Sequence, residues 1–174
     1  MFFVQSEQFK VVSQGQDGRP DNYPIIEPYP ELLFYIQRNQ NFNTVIYEIN
    51  QLPGGILNLN EPMKISWVYF EDNNTRKIQE INPIQKKLAY GYRHKLISNE
   101  MIDFKFVSYD GMTFYLAKND HDQFSVFTKF KNEFIELDHI YVYAEDLGVF
   151  PQVKFVEFFG KSKSGLFYNK LVLD

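Results

Sequence analysis

Arg38 is the residue of this chain whose setting most calls for chemistry. It is one of four arginines and stands in Phe34-Tyr35-Ile36-Gln37-Arg38-Asn39, where strand alternation puts it on the face of Phe34 and Ile36. Charge on an apolar face needs a partner, because an unpaired buried charge is strongly destabilising. Glu48, in the next apolar stretch, and Glu157, in Val156-Glu157-Phe158, are the candidate counter-charges. Arg38, Glu48 and Glu157 are therefore expected to form a structural ion pair. The other role open to Arg38 is to hold an anionic ligand, and Lys87 and His94 share it. From Ile81 to Asn99 there are four basic residues, Lys86, Lys87, Arg93 and Lys95, and no acid. Residues 133–146 hold Glu133, Glu136, Asp138, Glu145 and Asp146 and neither Lys nor Arg. These runs are an anion site and its internal complement, or two solvated faces.

Acid–base chemistry would have to come from His94, His121, His139 or a buried Glu157, and it needs two such groups converging in a cleft. Asp120-His121-Asp122 and Asp138-His139 are metal-type donors. Three consecutive residues of a strand cannot face one ion, so Lys118–Asp122 reads as a solvated hairpin turn. Gly160-Lys161-Ser162-Lys163-Ser164-Gly165 has neither the glycine spacing nor the following helix of a phosphate loop, and reads as a turn. Cysteine is absent, which excludes disulfides, thiol catalysis and thiolate metal sites. No catalytic residue, metal site or cofactor is assigned.

Aromatic content is the strongest compositional fact: 18 Phe, 12 Tyr and 1 Trp, or 18%. Phe in such numbers fills a core. Tyr and Trp, with one polar edge each, also suit the mouth of a binding pocket, and Trp67, Tyr69 and Tyr90 are the candidates to line it.

These residues must be positioned mostly by strands. Short apolar stretches punctuated by turn residues recur about every ten residues: 33–39, 44–50, 63–71, 92–97, 101–109, 112–118, 124–130, 134–143, 153–159 and 166–173. Asp110-Gly111 reads as a type I′ hairpin turn, and Pro53-Gly54-Gly55 as another turn. Alternation changes phase near Glu136-Leu137-Asp138, which means a bulge or two strands. One helix interrupts the rhythm. Asn82 suits its cap, Pro83 its first position and Gly91 the left-handed position after its end, with Ile84, Leu88 and Gln85 sharing one face of a helix over 83–90. The fold class is mainly β, an antiparallel meander closed into a barrel or half-open barrel with this one short helix. A two-sheet β-sandwich is the alternative. Residues 13–31 are rich in Gly and Pro, and residues 1–31 read as an extended N-terminal arm, with Phe9-Lys10-Val11-Val12 as a short edge strand or loose end. Residues 32–174 read as a single antiparallel β domain.

A net charge of −4 argues against nucleic acid as a partner. No stretch approaches the ~20 apolar residues of a membrane helix, so no transmembrane segment is expected. The start, Met1-Phe2-Phe3-Val4-Gln5-Ser6-Glu7, lacks a basic region and a long apolar run. The reading is a cytoplasmic protein, and a mature exported form would look the same.

Four stretches resemble one known family: Phe34–Asn39 with Asn43–Glu48; Ile65-Ser66-Trp67-Val68-Tyr69; Ile84–Gly91; and Val153–Gly160. The chain is similar, over about residues 25–165, to the bacterial domain-of-unknown-function family DUF4833. That resemblance implies a bacterial, single-domain protein and lends no catalytic residue. Three functions stay open: a non-enzymatic binding module for a small apolar or anionic ligand, a hydrolase or isomerase using carboxylate and histidine, and a structural domain that binds a protein partner through a strand edge or aromatic patch.

Overall fold

The computed structural model describes residues 24–70, 76–146 and 151–173. The expected strand at Phe9–Val12 and most of the expected arm lie outside the described residues. The elements in chain order are β1 (Leu32–Arg38), β2 (Asn41–Ile49), β3 (Gln51–Leu52), β4 (Ile56–Leu57), β5 (Met63–Phe70) and β6 (Arg76–Glu80). Then come α1 (Pro83–Gln85), which runs on as one π turn over Lys86–Tyr90, and β7 (Tyr92–Ser98), β8 (Met101–Phe106) and β9 (Tyr109–Lys118). β10 (Phe124–Phe130), β11 (Glu133–Asp146), β12 (Pro151–Ser162) and β13 (Gly165–Val172) complete the chain. The molecule is mainly β, a curled half-barrel sheet with a small second sheet made by the β3–β4 hairpin. No helix among the described residues is long and apolar enough to cross a membrane.

The curl begins at β11. Its 14 residues make it the longest strand, and β12 pairs with it from Glu136 to Asp146. The opposite edge therefore serves two strands in succession, β10 against Glu133–Glu136 and β1 against His139–Val142. The sheet forks there into one arm, β1-β2-β5-β6, and another, β10-β9-β8-β7. A bulge between Leu137 and His139 marks the fork and accounts for the change of alternation in the sequence. β1 and β11 are parallel, which a pure meander does not provide; every other pairing is antiparallel.

The arms close on an aromatic core. Phe34 of β1 stacks on Tyr47 of β2 at 4.3 Å, and both meet Phe106 of β8 edge-on at 6.1 and 5.8 Å. Phe104 and Phe106 pack on Phe114 of β9 at 5.4 and 5.0 Å. Each such ring contributes roughly 1.5–3 kcal/mol by leaving water. A smaller cluster covers the outer face of β1, β2 and β5, where Ile26 packs with Tyr35, Ile46 and Val68. Residues 24–31 are tied to that face by Tyr29, whose hydroxyl donates to Glu48 Oε1 at 2.9 Å, and by the Gln37 amide, which donates to the Pro24 carbonyl.

The hairpin joining β8 and β9 turns at Val107-Ser108, not at Asp110-Gly111. Neither Asp110 nor Gly111 has positive φ, so a type I′ turn does not form there. These two residues sit in a bulge of β9 between the Phe104–Phe114 and Phe106–Tyr109 pairs. The helix end fixes the turn, since Val107 N donates to Gly91 O at 2.9 Å and Ser108 Oγ to Ala89 O at 2.7 Å. Tertiary hydrogen bonds outweigh the local turn preference. The Lys118–Asp122 region is a hairpin turn as expected, with Asn119 Oδ1 accepting from the backbone of His121 and Gln123.

Candidate functional site

Asn82 caps the helix: its Oδ1 accepts from Gln85 N at 2.9 Å, with Pro83 in the first turn. Gly91 N then donates to Lys86 O at 2.8 Å, five residues back, so the last turn is π and one residue wider than an α turn. Gly91 is extended, at φ −70° and ψ 171°, and not left-handed. Its glycine answers a steric need instead, because a Cβ there would lie 2.0 Å from Lys86 O. The expected shared face holds for Ile84 and Leu88 but not for Gln85. Ile84 and Leu88 are 70% and 69% exposed, whereas Gln85 accepts from Trp67 Nε1 at 3.0 Å and Tyr90 turns into the sheet. The terminal carbonyls of the turn are satisfied by side chains, Ala89 O by Ser108 and Tyr90 O by the Tyr47 hydroxyl at 2.7 Å.

Beneath Tyr90 lies a pocket of about 430 Å³ between the two arms. Pairing register builds one wall: Arg38 opposes Val142, Val142 opposes Val156, and Val156 opposes Leu171. Ile36, Ile140 and Phe158 form the next rung. Phe106, Phe114, Ser108 and Tyr109 make the facing wall, and Ala89 and Tyr90 the roof. Gln40, Ala144, Pro151, Val153 and Leu173 complete the lining.

Arg38 is the one charged residue among the described residues that line the pocket. Its Nη1 donates to the Tyr90 hydroxyl at 2.7 Å, and its guanidinium carbon stands 4.8 Å from the Trp67 ring centre. Its Nε is buried and has no hydrogen-bond partner among the described residues. The expected ion pair with Glu48 or Glu157 is absent. Alternation is the reason. Gln37, Tyr141 and Glu157 make the rung opposite in face to Arg38, Val142 and Val156. Glu157 accepts from the Tyr168 hydroxyl, and Glu48 accepts from Tyr29 on the outer face.

Burial holds the site tyrosines neutral. It raises the Tyr90 pKa above the ordinary value and outweighs the opposing pull of Arg38. Burial lifts Tyr47 further still, with Tyr90 and Tyr92 adding smaller repulsive contributions. Tyr92, which exchanges hydrogen bonds with Met63 N and O at 2.8 and 3.0 Å, is pushed up to about 12, chiefly by burial.

Of the six residues expected to bind ligand, Arg38 and Tyr90 line the pocket. Trp67 lies behind Arg38 and is buried, and Tyr69 packs against Trp67 with ring centres 6.0 Å apart. Lys87 is exposed on the helix. His94 faces Leu59 O at 2.9 Å, away from the pocket lining. The remaining histidines are on other elements: His121 is in the β9–β10 turn, and His139 is stacked between Tyr35 and Phe159 at 4.9 and 4.3 Å with Nδ1 2.6 Å from Asp138 Oδ2. The sequence reading missed the aliphatic wall and Ser108. Their alternation was visible, but only cross-strand register brings Val142, Val156 and Leu171 together.

A family model described as a domain of unknown function, DUF4833, matches residues 34–166. The chain belongs to the DUF4833 family. The match runs from Phe34 in β1 to Leu166 at the start of β13, and so includes Arg38, the helix, Val142 and Val156 but not Leu171. No curated protein and no solved structure matches the chain. The DUF4833 assignment carries no activity with it, and the site geometry is what bears on function.

Proposed function

We propose that this DUF4833 chain is a non-enzymatic binding module that takes a small, largely apolar molecule into the pocket between its two sheet arms. The observation that carries this reading is the pocket itself. It has the size of ordinary ligand sites, roughly 300–1,000 Å³, and its walls are aliphatic and aromatic apart from a few polar groups. The fit is structural as well as chemical, since the walls belong to strands whose register is fixed and the pocket needs no rearrangement to exist.

The test uses 1-aminoanthracene, a neutral fluorescent probe whose emission rises in apolar surroundings. Wild-type protein should take it up saturably at one site. Val156→Trp, which fills the pocket from its wall, should abolish uptake while circular dichroism shows the strands retained. Absence of saturable uptake by the wild type, or unchanged uptake by the folded Val156→Trp protein, would overturn the reading.

A further inference from the structure

The polar lining of the pocket has a composition that selects among ligands. Four polar side chains besides Arg38 belong to it: Gln40, Tyr90, Ser108 and Tyr109. Two are already engaged. Ser108 Oγ donates to Ala89 O, and the Gln40 amide donates to Asp146 Oδ1 at 3.0 Å. Arg38 and Tyr90 differ from these. Tyr90 Oη accepts from Arg38 Nη1, so its own hydrogen can point elsewhere, and no acceptor for it is found among the described residues. Arg38 uses one Nη and has no carboxylate partner among the described residues.

We infer that the pocket selects a monocarboxylic acid with an apolar body, whose carboxylate is held by the guanidinium of Arg38 and the hydroxyl of Tyr90. This deepens the binding-module reading and rests on it. Three physical points fix the class. The Trp67 ring occupies one face of the guanidinium, so a ligand engages the planar edge, and a carboxylate matches that fork in geometry. One cation among the lining residues balances one negative charge. A phosphate monoester, carrying roughly 1.5–2 charges at neutral pH, would leave charge uncompensated against an aliphatic wall. Finally, the rest of the lining includes Val142, Val153, Val156, Phe158 and Leu171, whose side chains make no hydrogen bonds and suit an alkyl or aryl body.

The experiment compares decanoic acid with decan-1-ol, matched in chain and differing in head group, by competition against 1-aminoanthracene and by calorimetry at pH 7. The full chain is used as wild type, Arg38→Met, Arg38→Lys and Tyr90→Phe, each checked for folding by thermal melt. Decanoate should bind the wild type at least tenfold more tightly than decanol. Arg38→Met should bring the two within about twofold of each other with decanol affinity retained. Arg38→Lys should keep part of the preference, and Tyr90→Phe should lose several-fold on decanoate alone. Equal affinities in the wild type, or a preference surviving Arg38→Met, would refute the carboxylate site while leaving the pocket reading standing. Displacement of the probe by neither ligand overturns the carboxylate assignment, and if the probe too fails to bind, the pocket reading falls with it.

Discussion

Replacing Gly91 by Ala should damage this protein far more than an ordinary glycine substitution in a strand boundary. Gly91 has an extended backbone that any residue adopts, so conformational strain contributes nothing. The cost comes from contact: the added Cβ would lie 2.0 Å from Lys86 O, a backbone atom with no side-chain freedom to yield. The turn must open by about 1.5 Å to restore van der Waals distance. Opening lengthens the Gly91 N to Lys86 O bond and pulls on the three contacts that hold the turn, from Val107 N, Ser108 Oγ and the Tyr47 hydroxyl. Loss of two of these four bonds at about 1–1.5 kcal/mol each gives about 2–3 kcal/mol. For a chain of this size that corresponds to roughly 4–12 °C in Tm. Urea and thermal melts by circular dichroism would measure it. Gly54→Ala is the control, because its φ of +86° brings strain of about 1–2 kcal/mol but nothing lies within 4 Å of its Cβ. If Gly91→Ala costs no more than Gly54→Ala, the packing explanation of the π turn is wrong.

Further outcomes follow from the same contacts. Tyr47→Phe removes the donor to the Tyr90 carbonyl at a buried site and should cost about 1–3 kcal/mol in urea melts. Arg38→Ala loses a cation–π contact and a bond to Tyr90 but breaks no ion pair, so about 1–2 kcal/mol is expected; a loss of 3–5, as for a broken buried pair, would show a hidden carboxylate partner. Ile84→Glu and Leu88→Glu, at exposed helix positions, should stay within about ±0.5 kcal/mol, and a large loss would mean that this face is packed. Tyr92 holds its proton more tightly folded than unfolded, so it adds stability that is complete below pH 10 and declines as pH rises toward about 12. Urea midpoints of wild type and Tyr92→Phe should converge across that window, and parallel curves would count against a buried hydroxyl.

Much of the fold was legible because alternation is a local signal. Met63, Ile65 and Trp67 share the core face, and the phase change near Asp138 is the bulge at the fork. Asn82 and Pro83 mark the helix start where it occurs. The failures share one cause, which is that contacts distant in sequence decide them. Asp110-Gly111 lost its turn to hydrogen bonds from the helix end. Gln85 leaves the face of Ile84 and Leu88 because it accepts from Trp67 Nε1, 18 positions away in sequence. Arg38 and Tyr90 of the site were visible as a charge and an amphipathic ring in apolar stretches. Their meeting across 52 positions was not visible, nor was the register that separates Arg38 from Glu157 by sheet face.

The parallel pairing of β1 with β11 has a kinetic consequence. Tyr35 and His139 are about a hundred residues apart in sequence, whereas β7 to β13 connect neighbour to neighbour through short hairpins. Hairpins close cheaply, and a loop of that length must be closed before the β1–β11 bonds repay it. The C-terminal meander is therefore the part that can organise first, with β1 and β2 joining at the end. Arg38 arrives with that last step, and so does the rung on which it lies. Pulsed hydrogen exchange during refolding would show protection in β8 to β10 ahead of β1. The pocket is then assembled from an early and a late half of the same folding reaction, and it exists only in chains that have finished.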